Sequence, residues 1–256
     1  MSGTLASRHS LVVPQDDGSC DLLDMAILPC VAVPLVDETL PPKPVRLAEL
    51  THTPTLIFVF PGVDTSGESS ASVAGQLPEV QGCTAQATGF RDLHQEFQQL
   101  GVRVVGLSTQ PPEEQYQFRT RAGLPFSLMS DSELCLTKAL KLPTYAVEGQ
   151  NLLKRMMWYC EFGRIMKLFY PVFPPGQSAD TALRWVRRNQ QRQRARAQLV
   201  KCPVATPFRL PVNESFYISD IVFSDKAAYI EHFKEKDIHF FIHLFILYGV
   251  HAIHFH

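Results

Sequence analysis

Residues 56–60 read LIFVF, an unbroken apolar run closed by Pro61-Gly62. A strand with one solvated face alternates apolar and polar residues; an unbroken run suits a strand buried on both faces. The expected core is therefore a sheet covered by helices on both sides. Upstream, Ile27 to Val36 mixes apolar residues with Pro and reads as a short edge strand, followed by a Pro-rich turn, LPPKPV. Downstream, a long loop leads to Gly82-Cys83. Phe90, Leu93, Phe97 and Leu100 then recur at helical spacing up to Gly101, which suits a left-handed cap.

The pattern continues in the same sense. VRVVGLS (102–108) reads as a strand, and PPEEQYQFRTRAG as a helix with Pro at its start. FSLMSD reads as a strand, and SELCLTKALKL as a helix capped by Asp131 or Ser132. LLKRMMWYCEF and GRIMKLFYPV form a hairpin, and a last helix opens at Ser178. This order predicts an α/β fold with strands of mixed direction. Residues 1–27 are polar and turn-rich and read as an N-terminal arm, with the domain over 28–200 and an unassigned C-terminal tail over 201–256.

Composition narrows the function classes. Lys and Arg number 24 against 25 Asp and Glu, so no general polyanion partner is suggested. The run Arg184 to Lys201 is basic without an acid, which suits a solvated helix face or a nuclear address; nucleic acid is not expected as a partner. The 6 cysteines are scattered with no CxxC pair, which excludes a dense disulfide framework and a Cys-based zinc site. The N-terminus lacks the apolar core of a secretory signal. A reducing, cytoplasmic compartment is expected, with the nucleus as the alternative. In the tail, His239 and His243 sit at a spacing that can share one helical face, but no third ligand is specified and no metal is expected. The apolar tail is close to spanning length yet has no flanking charge, and no membrane partner is expected.

Cys83 stands at the mouth of the helix that carries Phe90. Helix N-termini offer unpaired N–H groups and partial positive charge, which favour a thiolate. Gly82 lets a ligand approach the backbone. A lone cysteine at a helix start also suits a small buried apolar residue, and these features alone leave both readings open.

The surrounding words carry more. GCTAQATGFRD (82–92) resembles the segment GCTxExxxFRD of the peroxiredoxins, in the branch called peroxiredoxin Q or bacterioferritin comigratory protein. LIFVFPGVDT, LGVRVVGLST, GLPFSLMSDSELCLTKALKLPTY and KRMMWYCEFGRIMKLFYPVFPPG are similar to further segments of that family, in order, from about Ala32 to Val186. The resemblance implies a thioredoxin-like fold, with a central mixed sheet covered by helices on both faces. It implies a thiol-dependent peroxidase, acting on hydrogen peroxide or alkyl hydroperoxides without cofactor or metal. The alternative is a thioredoxin-fold redox sensor or interaction module without turnover.

By the same resemblance Cys83 is the peroxidatic cysteine, which becomes a sulfenic acid. Arg155 is the arginine that steadies thiolate and peroxide. Thr65, in Pro61-Gly62-Val63-Asp64-Thr65, matches the Pro-x-x-x-Thr spacing and is the candidate hydroxyl donor. The family threonine ordinarily lies three residues before the cysteine, where this chain has Val80. Met156 and Met157 stand where the family often has Ser or Thr. Where many relatives place a resolving cysteine, this chain has Thr88, which cannot form a disulfide. Either Cys135, Cys160 or Cys202 resolves, Cys135 and Cys160 reading as core residues, or an external thiol such as thioredoxin or glutathione reduces the sulfenic acid directly. The favoured reading is the one-cysteine cycle. The expected assembly is a monomer or dimer.

Overall fold

The computed structural model describes residues 14–63, 81–147 and 149–201. All but Lys201 belong to the first of two units, Met1–Val200. The strands are β1 (Ala32–Val36), β2 (Lys43–Arg46), β3 (Thr55–Val59), β4 (Arg103–Ser108), β5 (Leu128–Ser130), β6 (Thr144–Val147), β7 (Gln150–Leu153), β8 (Met156–Glu161) and β9 (Arg164–Phe169). The helices are α1 (Leu47–Leu50), α2 (Cys83–Asp92), α3 (His94–Gln99), α4 (Pro112–Ala122), α5 (Cys135–Leu140) and α6 (Ser178–Lys201). The main sheet runs β2-β1-β5-β4-β3-β8-β9, and β6 and β7 pair as a separate hairpin. Strands β3, β4 and β5 are parallel, while β1, β2, β8 and β9 add antiparallel on either side. The mixed α/β expectation holds.

The run LIFVF explains the layering. Leu56, Phe58 and Phe60 enter one core and Ile57 and Val59 the other, as the two-residue period of a strand requires. The first core is closed by Phe90 of α2, Phe97 of α3, Phe118 of α4 and the Ala179–Val186 stretch of α6. The second is closed by Leu47 and Leu50 of α1 and Leu136 of α5. Phe58 stacks on Phe90 with ring centroids 4.7 Å apart, and Phe126 meets Phe58 edge-on at 5.6 Å. That cluster needs Gly106 in β4: a Cβ there would come within 2.6 Å of Leu128 and 2.8 Å of the Phe58 ring.

Several boundaries differ from expectation. β1 is not the edge strand. The Pro-rich stretch read as a turn contributes β2, which takes the edge position, where its Pro44 withholds no ladder bond from a further neighbour. The helix read through Leu100 is two, α2 and α3, divided at Leu93 (φ −99°, ψ 8°). Gly101 does adopt a left-handed φ of +68° after α3. α5 begins at Cys135, later than read, yet Asp131 still serves it: its carboxylate accepts from Leu136 N at 2.9 Å and from Thr137 N at 2.7 Å. Leu152 and Leu153, read as the start of the hairpin strand, instead belong to β7.

The described part of the 1–27 arm packs onto the domain. Cys20 and Leu23 are buried in the second core, as is Leu28 just after the arm, and Ile27 bridges Arg164. The Lys154 ammonium beside Asp17 holds that carboxyl well below the usual carboxylate range. Among the described residues no helix is long and apolar enough to cross a membrane, and no group of 3 or more metal-ligating side chains occurs. His239, His243 and Cys202 lie outside the described residues.

Candidate active site

α2 positions the cysteine. Its buried residues, Cys83, Gln86, Ala87 and Phe90, recur at the spacing of one helical face, and the stacking of Phe90 on Phe58 seats that face on β3. Cys83 is the first helical residue and is 3% exposed. Gly82 before it has φ +85°, a conformation that L side chains avoid, and a Cβ there would come within 2.9 Å of the Pro175 ring. The helical ladder begins with Gln86 N–H donating to Gly82 O at 2.8 Å. The N–H groups of the first turn therefore lie outside it, at the positive end of the helix. Gly89 keeps α2 close to the turn Pro175–Gln177, since a Cβ at Gly89 would come within 3.3 Å of Gly176 O.

β8 positions the arginine. Lys154 N donates to Pro143 O, after which the chain enters β8 beside β3. Val59 pairs with Met156. Arg155 thus lies one step beyond the last β3–β8 pair, at the end of the sheet where the chain leaves β3. Arg155 is 8% exposed. Its Nη2 donates to Cys83 Sγ at 3.2 Å and to Gln81 O at 3.0 Å, and its Nη1 donates to Gln86 Oε1. Two residues far apart in the chain, both expected at the site, are brought into contact. Thr65, the expected hydroxyl donor, lies outside the described residues, as does Val80.

Gln86 was not among the expected site residues. The signal was present, because GCTxExxxFRD carries a Glu where GCTAQATGFRD has Gln86, and that departure bears on the arginine. Met156 and Met157, beside Arg155, are buried in opposite cores.

The site opens into a cavity of about 370 Å³, lined among others by Gly82, Ala85, Arg155, Tyr145, Tyr170 and Phe173. The Cys83 sulfur lies behind this lining, in contact with the lining guanidinium of Arg155 and beside the first-turn N–H groups. Those are a nucleophile and hydrogen-bond donors arranged around one point, which suits attack on an oxygen that develops negative charge.

The other cysteines are placed differently. Cys160 is fully buried in the second core, so β8 and its neighbours lie between it and Cys83 in the first. Cys20 is also in the second core. Cys135, read as a core residue, is exposed, because α5 turns Leu136 and Thr137 inward instead. Thr88 Oγ1 bonds back to Thr84 O at 2.9 Å, within its own helix.

Comparison with known proteins bears on the family and the fold. The redoxin family matches residues 26–183. Peroxiredoxin Q of Sedum lineare is 29% identical over 102 residues, 40% of this chain and 47% of that protein. The chain thus spans about half the length of that relative, or less for others of its kind. A Mycobacterium tuberculosis protein carrying the peroxiredoxin name is 36% identical over 134 residues, 48% of this chain and 85% of its own length. Among solved structures, peroxidoxin BcpB of Mycobacterium tuberculosis superposes with a TM-score of 0.50 at 22% identity, covering 64% of this chain and 96% of that one. A PrxQ structure from Xylella fastidiosa gives 0.50 at 19% identity, covering 65% and 98%. With the fold, the cysteine at the mouth of α2 and the arginine on it, the chain belongs to the redoxin family, among the peroxiredoxins.

Proposed function

We propose that the protein is a thiol-dependent peroxidase that reduces hydrogen peroxide or alkyl hydroperoxides through Cys83. The observation that carries this reading is the 3.2 Å contact of Arg155 Nη2 with Cys83 Sγ at the start of α2. The thiolate attacks the distal peroxide oxygen. An S–O bond forms, the O–O bond breaks, and the alkoxide or hydroxide leaves to take a proton from solvent. Cys83 is then a sulfenic acid. Arg155 and the first-turn N–H groups stabilise the charge during the displacement, and no cofactor is required. A hydroxyl from Thr65 would be a further donor. Among the solved relatives, the structural study of the Xanthomonas campestris bacterioferritin comigratory protein concerns alkyl peroxide reduction.

Recycling goes by an external thiol, thioredoxin or glutathione in class. Three features support this. Thr88 offers no sulfur on α2, and Cys160 and Cys20 are in the opposite core. Cys135 is at the start of α5, which follows β5, two strands from β3. α5 packs Leu136 into the second core while Cys83 is in the first, so the sheet lies between the two helices.

Intact-mass measurement after one equivalent of peroxide tests the reading. One oxygen gained on Cys83, and peroxide consumed in turnover with a thioredoxin or glutathione system, are expected. Loss of two hydrogens would show a disulfide and overturn the one-cysteine cycle. A single oxidation with no turnover under any thiol would favour the redox-sensor reading, which the absence of a sulfur at Thr88 also suits.

A further inference from the structure

Gln86 is fully buried, one turn along α2 from Cys83. Its Oε1 accepts from Arg155 Nη1 while Arg155 Nη2 reaches Cys83 Sγ and Gln81 O. Three acceptors from residues 81–86 therefore hold one guanidinium. The amide itself is poorly matched: Gln86 Nε2 is buried without a hydrogen-bond partner. An unmet buried donor costs about 1–3 kcal/mol. A carboxylate of the same length would have no such donor, and it is the side chain in GCTxExxxFRD. What the amide avoids is charge. A carboxylate on Nη1 would place a second anion within a helical turn of the thiolate, with both drawing on Arg155.

We propose that Gln86 is the positioning residue that locks Arg155 onto Cys83, and that it does so as a neutral acceptor, adding no anion beside the thiolate. This rests on Cys83 being the peroxide-reactive thiol. The ionisable groups around the pair, among the described residues, are few. Arg155 and Tyr159 come from β8, the latter in the same core. Tyr145 of β6 and Tyr170 beyond β9 line the mouth. Arg91 and Asp92 at the far end of α2 pair with each other, Glu96 of α3 pairs with Arg187, and His94 packs against Phe126. The turn Pro175–Gln177 carries no ionisable side chain, and Asp180 in the first turn of α6 is exposed. Among these groups, a charge introduced at position 86 would act chiefly through Arg155 and the sulfur, which are in contact with each other.

The test uses the full chain and two variants of similar size. Gln86→Glu keeps an acceptor and adds charge; Gln86→Met removes the acceptor without adding charge. Iodoacetamide labelling of Cys83 is followed by peptide mass against pH, so that labelling of the exposed Cys30 and Cys135 does not interfere. Gln86→Glu is expected to move the labelling midpoint upward by about one pH unit, a value set by one added charge at close range. Gln86→Met is expected to slow oxidation of Cys83 by hydrogen peroxide by about tenfold or more on the alkaline plateau, because Arg155 loses an anchor there. An unmoved midpoint in Gln86→Glu overturns the charge claim, and a wild-type plateau rate in Gln86→Met overturns the positioning claim. The labelling arm contains no peroxide. Wild-type Cys83 left unoxidised by peroxide would overturn the functional reading instead, with the charge claim still decided by labelling.

Discussion

At the scale of residues, the site is a single guanidinium shared among a sulfur, a carbonyl and an amide oxygen. Arg155→Met leaves Cys83 Sγ, Gln81 O and Gln86 Oε1 without that donor. Loss of a donor aimed at developing charge ordinarily costs about two orders of magnitude in rate. Stopped-flow oxidation of Cys83 by peroxide should therefore slow about a hundredfold, and Arg155→Lys should recover little, because an ammonium cannot span the acceptors as a planar fork does. A variant that oxidised at the wild-type rate would remove Arg155 from the chemistry. Cys83 and Arg155 were legible in the sequence because each lies in a run of ordered family words. Gln86 was not read, because a Gln on a helix face has a meaning only once its partner is known. That partner lies on β8, far along the chain, and only the β3–β8 register brings it near.

At the scale of elements, the approach of α2 to the turn Pro175–Gln177 holds the cysteine in place. Gly82 stands at φ +85°, and its missing Cβ is replaced by the Pro175 ring. Gly82→Ala combines a left-handed backbone with an overpacked contact. Each is worth about 1–3 kcal/mol. Urea unfolding should show the loss, and peroxide oxidation should slow with it, since any retreat of α2 moves Sγ away from Arg155. Adding Pro175→Ala should relieve the 2.9 Å contact with the ring Cγ, and leave the 3.0 Å contact with Cβ and the backbone part, so a double-mutant cycle should show partial coupling. Additive losses would mean that the two residues do not press on each other. The helices and parallel strands of this region were legible from apolar period and from Gly and Pro at their ends. The β6–β7 hairpin, the β2 edge and the break at Leu93 were not. β6 and β7 are four residues each, with no strong alternation, and β2 takes its identity from pairing with β1, not from its own Pro-containing sequence.

At the scale of the molecule, the unbroken apolar strands divide the interior into two cores, and the division decides which thiols can meet. Cys83 is in one core; Cys160 and Cys20 are in the other, protonated and held from water. Burial pushes the Cys160 thiol above its ordinary range and the Cys20 thiol up to about 12. The unfolded chain would ionise both near pH ~8.5. Between that value and the folded one, the folded state binds more protons than the unfolded state. The contribution is therefore complete below pH ~8.5 and declines as pH rises toward the folded value, at up to about 1.4 kcal/mol per pH unit for each such thiol. Urea midpoints from pH 7 to 10, under reductant, should fall as pH rises. Cys160→Ala should lose stability at every pH through the cavity it leaves, yet decline less steeply than wild type between pH ~8.5 and ~10. Parallel curves for the two proteins would mean that Cys160 ionises alike in both states, and that the second core does not shut it from solvent.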